Sequence, residues 1–182
     1  SIIRKEVLDC QKSSTSFPIS KILICFGGGD DRGALVFFLE TLAPILPKNI
    51  GLEIVCGAEN PNRENIGKSV RRLKNPNIRL HVDPSSMAAV CSSCDAAIVS
   101  AGTISHEVGL FGLPMILVSI ADNQKLQGQA WERLGVGRYV GDLKGLCSRR
   151  VQEAFESLIN MGSQDFVAVR DKLSDLDGAG AY

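Results

Sequence analysis

The sequence predicts an α/β domain: a Rossmann-like, doubly wound parallel sheet of about six strands. Three observations predict it. Short β-rich runs alternate with stretches of helical spacing, the pattern of βαβ units. The first run ends directly in Gly27-Gly28-Gly29-Asp30. The fourth ends in the small residues Ser100-Ala101-Gly102 and leads straight into a helix start. Right-handed crossovers place the loops after parallel strands on one edge of the sheet. Such sheets bind ligands at that edge, near the switch in strand order.

Each element has its own signal. Lys21 to Phe26 is an apolar run of strand length, and Ala34 to Leu46 then shows helical spacing that ends near Pro47. Leu52 to Cys56 is the second strand, and Asn62 to Leu73 a polar helix with a basic end. Ile78 to Val82 alternates at period two. Ser85 to Ser92 is a short helix with Ser85 or Ser86 as its cap. Ala96 to Ser100 and Met115 to Ser119 are the fourth and fifth strands, with the helix carrying Glu107 between them. Leu126 to Leu134 is a helix, Gly137 to Val140 a short sixth strand, and Ser148–Met161 and Asp165–Leu176 close the chain as helices. Residues 1–19 read as a linker or interdomain segment, polar over Cys10 to Pro18, and residues 20–182 as one domain.

Composition limits the function. With 182 residues, one domain can bury a large share of its surface. The formal net charge is zero, which argues against a general nucleic-acid binder but leaves room for one local anion site built from backbone N–H groups. The chain has no run of about eighteen apolar residues, so no membrane span is expected. The first residues are mixed and charged, unlike a signal peptide. Of the six cysteines, Cys25 and Cys56 sit in apolar strands, and the pattern is no secreted disulfide framework. A reducing cytoplasm is the expectation.

Several motifs carry less than they suggest. Gly27 and Gly29 begin a dinucleotide fingerprint, but Arg32 stands where its third glycine belongs and Val55-Cys56-Gly57 supplies no acid at the second strand's end. Gly67-Lys68-Ser69 imitates the end of a P-loop, yet Asn62 replaces the first glycine and the segment lies within a helix. Cys91-Ser92-Ser93-Cys94 has metal-ligand spacing without a second pair or nearby histidines, so no metal is expected. His81 lies on a strand and reads as structural.

The strongest stretch is Ser100 to Glu107, followed by Gly112-Leu113-Pro114 and Ala121-Asp122-Asn123-Gln124. Small residues let the backbone approach phosphate closely. The helix starting near Thr103 directs free N–H groups and its dipole at an anion. Glu107, about a turn further on, is an acceptor for ribose hydroxyls. His106 precedes it, with local packing and proton transfer both open as its role. Asn123 and Gln124 carry carboxamides suited to sugar hydroxyls, and Asp122 or Asn123 equally suits a helix cap. Met87 stands where its backbone meets a base or its side chain fills the core.

These segments resemble, in order, the C-terminal half of the UDP-2,4-diacetamido-2,4,6-trideoxy-β-L-altropyranose hydrolase family, the UDP-releasing enzymes of pseudaminic acid synthesis. The likeness runs from Ile3-Arg4-Lys5-Glu6 through Lys21–Asp30, Gly57–Pro61, Val82-Asp83 with Met87, Ser100–Glu107, Gly112–Pro114 and Ile120–Gln124 to Asp177-Gly178-Ala179-Gly180. The Glu-x4-Gly-x-Pro element is shared by many GT-B glycosyltransferases; the Asp-Asn-Gln loop and the tail are more discriminating. The resemblance implies the nucleotide-binding half of a GT-B fold, with UDP-sugar as ligand and no cofactor. It places Gly28 and Gly29 along the cleft, the uracil near Met87, and the diphosphate on Gly102, Thr103 and Ile104. It places the ribose on Glu107 and the sugar by Asn123 and Gln124. His106 departs from the family, which has an aromatic residue there. The family's general base lies on an N-terminal half that this chain lacks, so no catalytic residue is assigned within the chain, and Asn123 and His106 are candidate contributors. The alternatives are a transferase domain resembling the peptidoglycan N-acetylglucosaminyltransferase, and a non-catalytic nucleotide-binding module.

Overall fold

The computed structural model describes residues 17–178. Most of the segment expected as a linker, and part of the Asp177–Gly180 tail, lie outside the described residues. Six parallel strands form one sheet: β1 (Lys21–Cys25), β2 (Gly51–Cys56), β3 (Ile78–Val82), β4 (Ala96–Ser100), β5 (Met115–Ser119) and β6 (Gly137–Asp142). Their order is β3-β2-β1-β4-β5-β6. The order reverses between β1 and β4, the switch point of a doubly wound sheet.

The helices follow the expected alternation: α1 (Ala34–Leu42), α2 (Arg63–Leu73), α3 (Met87–Ser92), α4 (Thr103–Leu110), α5 (Lys125–Arg133), α6 (Ser148–Ile159) and α7 (Ser163–Gly178). Several element ends shift from the sequence expectation, β6 running on to Asp142 for instance, and two differences change the kind of element. The first helix stops at Leu42 and passes into a 3-10 turn, Ala43–Ile45, because Pro44 supplies no N–H to continue the α ladder. A second 3-10 turn, Asp122–Gln124, precedes α5 where only a polar loop was expected.

Two core halves sandwich the sheet. Ile22, Ile24, Leu52, Ile54, Ile98 and Val118 face Phe38, Leu39, Ile66 and Phe155 of α1, α2 and α6. Alternate residues Leu23, Cys25, Val55, Ala97, Val99 and Leu117 face Val90, Val108, Trp131 and Leu173 of α3, α4, α5 and α7. The central strands β4 and β5 are buried along their whole length, so their sequences are continuously apolar up to a terminal serine. The edge strand β3 alternates instead, with Arg79 exposed and His81 half-buried.

Two buried carboxylates are anchored within this frame. Asp95 accepts the N–H groups of Ser20 and Lys21 and the Ser20 hydroxyl, fixing the entry to β1 against β4. Glu53 meets His81 Nε2 at 2.6 Å, the partner that gives His81 its structural role.

Asp31 starts α1. Gly33, the residue before the helix, has φ 84° and offers no side chain as a cap. Asp31 supplies it from two residues upstream: its carboxylate accepts from Gly33 N at 3.1 Å and Leu35 N at 2.9 Å. Asn62 Nδ2 donates to the same carboxylate at 3.3 Å, so Asp31 also ties the loop after β1 to the start of α2. Loss of a cap of this kind costs about 1–2 kcal/mol. Asp31→Ala is therefore expected to lower the melting temperature by roughly 2–8 °C, measured by circular dichroism.

Candidate functional site

Beyond the carboxyl ends of β1, β2 and β3 a cleft of about 250 Å³ opens, bounded on the far side by α4. It is lined by Cys25, Gly27, Gly28, Val55, Gly57, Asp83, Met87, Thr103, Ile104 and Glu107. Five residues singled out from the sequence thus meet here: Gly28, Met87, Thr103, Ile104 and Glu107. Gly29 extends the same loop and is exposed, and Gly102 sits immediately before α4. His106, Asn123 and Gln124 are not among the lining residues.

The cleft exists because two loops cross at backbone distance. Gly27 has φ 103°, a left-handed turn off β1 that suits glycine. Gly57, at the end of β2, lies under Gly28: a Cβ on Gly57 would fall 2.0 Å from the Gly28 carbonyl oxygen. Around Gly28 and Gly29, by contrast, an added Cβ meets nothing within 4 Å. The first glycine loop thus rests on the second and leaves its own face open.

α4 begins at Gly102 with no side-chain cap. The N–H groups at the start of an uncapped helix have no intrahelical acceptor, and here Thr103 and Ile104 border the cleft. The turn is held from behind. Ser105 Oγ donates to the Gly102 carbonyl at 2.7 Å and accepts from Trp131 Nε1 at 3.0 Å and Gln127 Nε2 at 3.4 Å. His106 packs against Trp131 in a tilted contact, 5.3 Å between centroids, and is hydrogen-bonded to Gln127. Its ring therefore belongs to the α4–α5 contact.

Gln124 is placed differently from a plain sugar-loop residue. Its Oε1 accepts the Ile120 N–H at 3.0 Å, which fixes which end of the amide is which. Its Nε2 lies so close to Gly102 that an added Cβ there would come within 2.9 Å. The free amide donor thus hangs over the uncapped turn. Asn123 is exposed in the same 3-10 turn. Lys125 braces this turn, pairing with Asp122 at 3.3 Å and with Asp142 at the end of β6 at 3.0 Å.

The cleft's titratable groups are Cys25, Asp83 and Glu107. Burial pushes the Cys25 thiol up to about 11, so it stays protonated and unreactive at neutral pH. Burial also raises the Glu107 carboxyl above its ordinary value. The same cause raises Cys91 and takes Cys94 up to about 12, which leaves the Cys-x-x-Cys pair as inert core thiols. Among the described residues no group of three or more metal-ligating side chains comes together. Gly67 and Ser69 are buried in α2 while Lys68 pairs with Glu64, so the P-loop-like triplet is a helix segment. No helix among the described residues is long and apolar enough to cross a membrane.

The sequence reading assigned no role to Gly57 and Asp83, although both lie in the segments that carried the family resemblance. Their signal was their place directly after β2 and β3, at the edge where the first and fourth loops had already been read as ligand-facing.

The strand order, the glycine loop after β1 and the uncapped helix after β4 define a Rossmann-like domain of the kind that forms the C-terminal half of GT-B glycosyltransferases. No model of a known protein family matches the chain. It is similar to the spore coat polysaccharide biosynthesis protein SpsG of Bacillus subtilis, 28% identical over 130 residues, covering 66% of this chain and 37% of that protein. It is also similar to the pseudaminic acid cytidylyltransferase and UDP-2,4-diacetamido-2,4,6-trideoxy-beta-L-altropyranose hydrolase of Helicobacter pylori, 27% identical over 117 residues, covering 64% of this chain and 20% of that protein. Among solved structures, WaaG, a glycosyltransferase involved in lipopolysaccharide biosynthesis, matches with a TM-score of 0.68 at 14% identity, over 97% of this chain and 46% of the other. The chain thus spans less than half the length of each of these proteins.

Proposed function

We propose that this chain is the nucleotide-sugar-binding half of a two-domain protein that hydrolyses a UDP-sugar, releasing UDP. The observation that carries the reading is the cleft at the switch point, with open helix N–H groups and the Glu107 carboxylate on one wall and two glycine loops on the other. Helix N–H groups suit a diphosphate. A half-buried acceptor on the same helix, about a turn on, suits the ribose hydroxyls. The likeness to a protein whose name includes a UDP-sugar hydrolase supports hydrolysis, and the glycosyltransferases among the similar solved structures make transfer the second reading.

In this reading a water attacks the anomeric carbon and the sugar–oxygen bond to the β-phosphate breaks. Charge then develops on the departing phosphate. Donors already aimed at that position stabilise it without reorganisation, and the loss of one such donor costs about 3 kcal/mol of barrier. The N–H groups of Thr103 and Ile104, with Gln124 Nε2 above them, are this chain's donors. Both histidines of the chain are engaged away from the cleft, His81 with Glu53 and His106 with Trp131 and Gln127. In the hydrolase family that the chain resembles the general base lies on the other half of the protein, and in this reading it lies there too.

Titration calorimetry of this chain with UDP and UMP tests the binding half. UDP is expected to bind, and UMP more weakly because it lacks the β-phosphate. No binding of either overturns the reading. Incubating the full protein with a UDP-linked diacetamido sugar in water separates the two chemistries: free sugar and UDP without any acceptor mean hydrolysis, and turnover only with an added acceptor means transfer.

A further inference from the structure

Asp83 is the one acidic side chain of the cleft that the proposed phosphate and ribose contacts leave unused. It follows β3, the strand furthest from α4 on this side of the sheet. Three inter-strand spacings of about 4.8 Å separate β3 from β4, so Asp83 stands roughly 14 Å across the edge from the diphosphate end. That is the reach of a nucleoside diphosphate laid along the edge, and it puts Asp83 beside Met87 at the base end.

Its conformation is specific. Asp83 has φ 47°, a left-handed backbone that aspartate tolerates better than most residues. Its N–H donates to the Cys56 carbonyl at 2.9 Å, which fixes the turn. Its carboxylate makes no hydrogen bond or ion pair among the described residues, and it borders the cleft while remaining exposed.

We propose that Asp83 selects the base: its carboxylate accepts the ring N–H of uracil and turns away bases that carry a lone pair at that ring position. The inference rests on the nucleotide-binding reading above. An ionised carboxylate is an acceptor only. Uracil presents N3–H at the position where cytosine presents the N3 lone pair, so the two rings differ there in sign rather than in shape. One carboxylate oxygen takes the N–H while the other stays in water, which its exposure allows. At that position cytosine meets charge against lone pair, the repulsive element that specificity requires, and its neighbouring N4–H reaches the carboxylate only from a shifted ring. Guanine offers an N–H in the same sense as uracil, and adenine a lone pair in the same sense as cytosine.

The test is calorimetric titration of the chain with UDP, CDP and N3-methyl-UDP, followed by the same series on Asp83→Asn. The unsubstituted chain is expected to bind UDP at least about tenfold more tightly than CDP or N3-methyl-UDP, the scale of a hydrogen bond to a charged group. In the Asp83→Asn variant the side-chain amide can rotate to present either a donor or an acceptor. The UDP-to-CDP affinity ratio is therefore expected to fall within about threefold, since a neutral hydrogen bond is worth less than a charged one. N3-methyl-UDP probes the same contact with no change to the protein, so a misfolded variant does not rescue the idea. If UDP binds but methylation at N3 costs nothing, or if Asp83→Asn keeps the UDP-to-CDP ratio, this role is overturned and the nucleotide site stands. If none of the three nucleotides binds, the proposed function falls and takes this role with it.

Discussion

Replacing Glu107 by glutamine is expected to weaken nucleotide binding and, at neutral pH, to stabilise the fold. The two effects share one cause. Glu107 is half-buried on α4, facing the cleft, and burial raises its carboxyl above the ordinary value of 4.5. The folded chain therefore holds this proton more tightly than the unfolded chain does. The stability this group contributes is fully present below about 4.5 and is lost as the pH rises through the raised folded value. At pH 7 the folded protein carries a partly desolvated carboxylate, which glutamine removes. Melting curves should show Glu107→Gln unfolding at a higher temperature than the parent at pH 7, with the advantage shrinking as the pH falls toward 4. Binding should move the other way. Two ribose hydroxyls donating to a charged acceptor are worth more than the same hydroxyls on a neutral amide, and hydrogen bonds to charged groups contribute about 1.5–3 kcal/mol. An affinity loss of about tenfold or more for UDP is the expected result. A variant that binds UDP as tightly as the parent removes Glu107 from the ribose. A variant that melts lower at pH 7 contradicts the burial argument.

The strands were legible because each announces its own burial. The apolar stretches of β4 and β5 and the alternation of β3 each state how many faces are covered, whereas the order β3-β2-β1-β4-β5-β6 is set by pairings between distant segments. That Glu107 borders the cleft was legible because it lies about one turn into the helix that follows a strand end of small residues. What the sequence could not show was anything set by two loops meeting. Gly57 reads as an ordinary strand-end glycine until Gly28 is seen above it. Nothing in the local sequence shows that the Gln124 oxygen rests on the Ile120 N–H and its nitrogen over Gly102. His106 was ambiguous because its partners, Gln127 and Trp131, lie more than 20 residues away on another helix. In each case the missing fact was a neighbour brought in by the fold, which local spacing does not encode.

Two glycines on facing loops should respond in opposite ways to the same added methyl group. A Cβ on Gly57 would lie 2.0 Å from the Gly28 oxygen and 2.5 Å from its carbonyl carbon and Cα. Those are backbone atoms, so no side-chain rotation relieves the overlap, and the loop after β1 must lift off the end of β2. Overpacking of this kind costs about 1–3 kcal/mol, occasionally more. Gly57→Ala is accordingly expected to lower the melting temperature by roughly 2–12 °C and to abolish measurable UDP binding, because the displaced loop is one wall of the cleft. At Gly28 the added carbon meets nothing within 4 Å, and no left-handed φ is required there. Gly28→Ala should melt within about 2 °C of the parent, since a surface substitution free of strain usually stays within about 0.5 kcal/mol. Yet Gly28 lines the cleft, so its methyl group stands where a ligand must come close to the backbone, and UDP affinity should still fall. Thermal melts and UDP titrations on the pair separate the two roles. A stable Gly57→Ala would show that the loops do not meet as described, and a Gly28→Ala that binds UDP normally would move the nucleotide away from the first glycine loop.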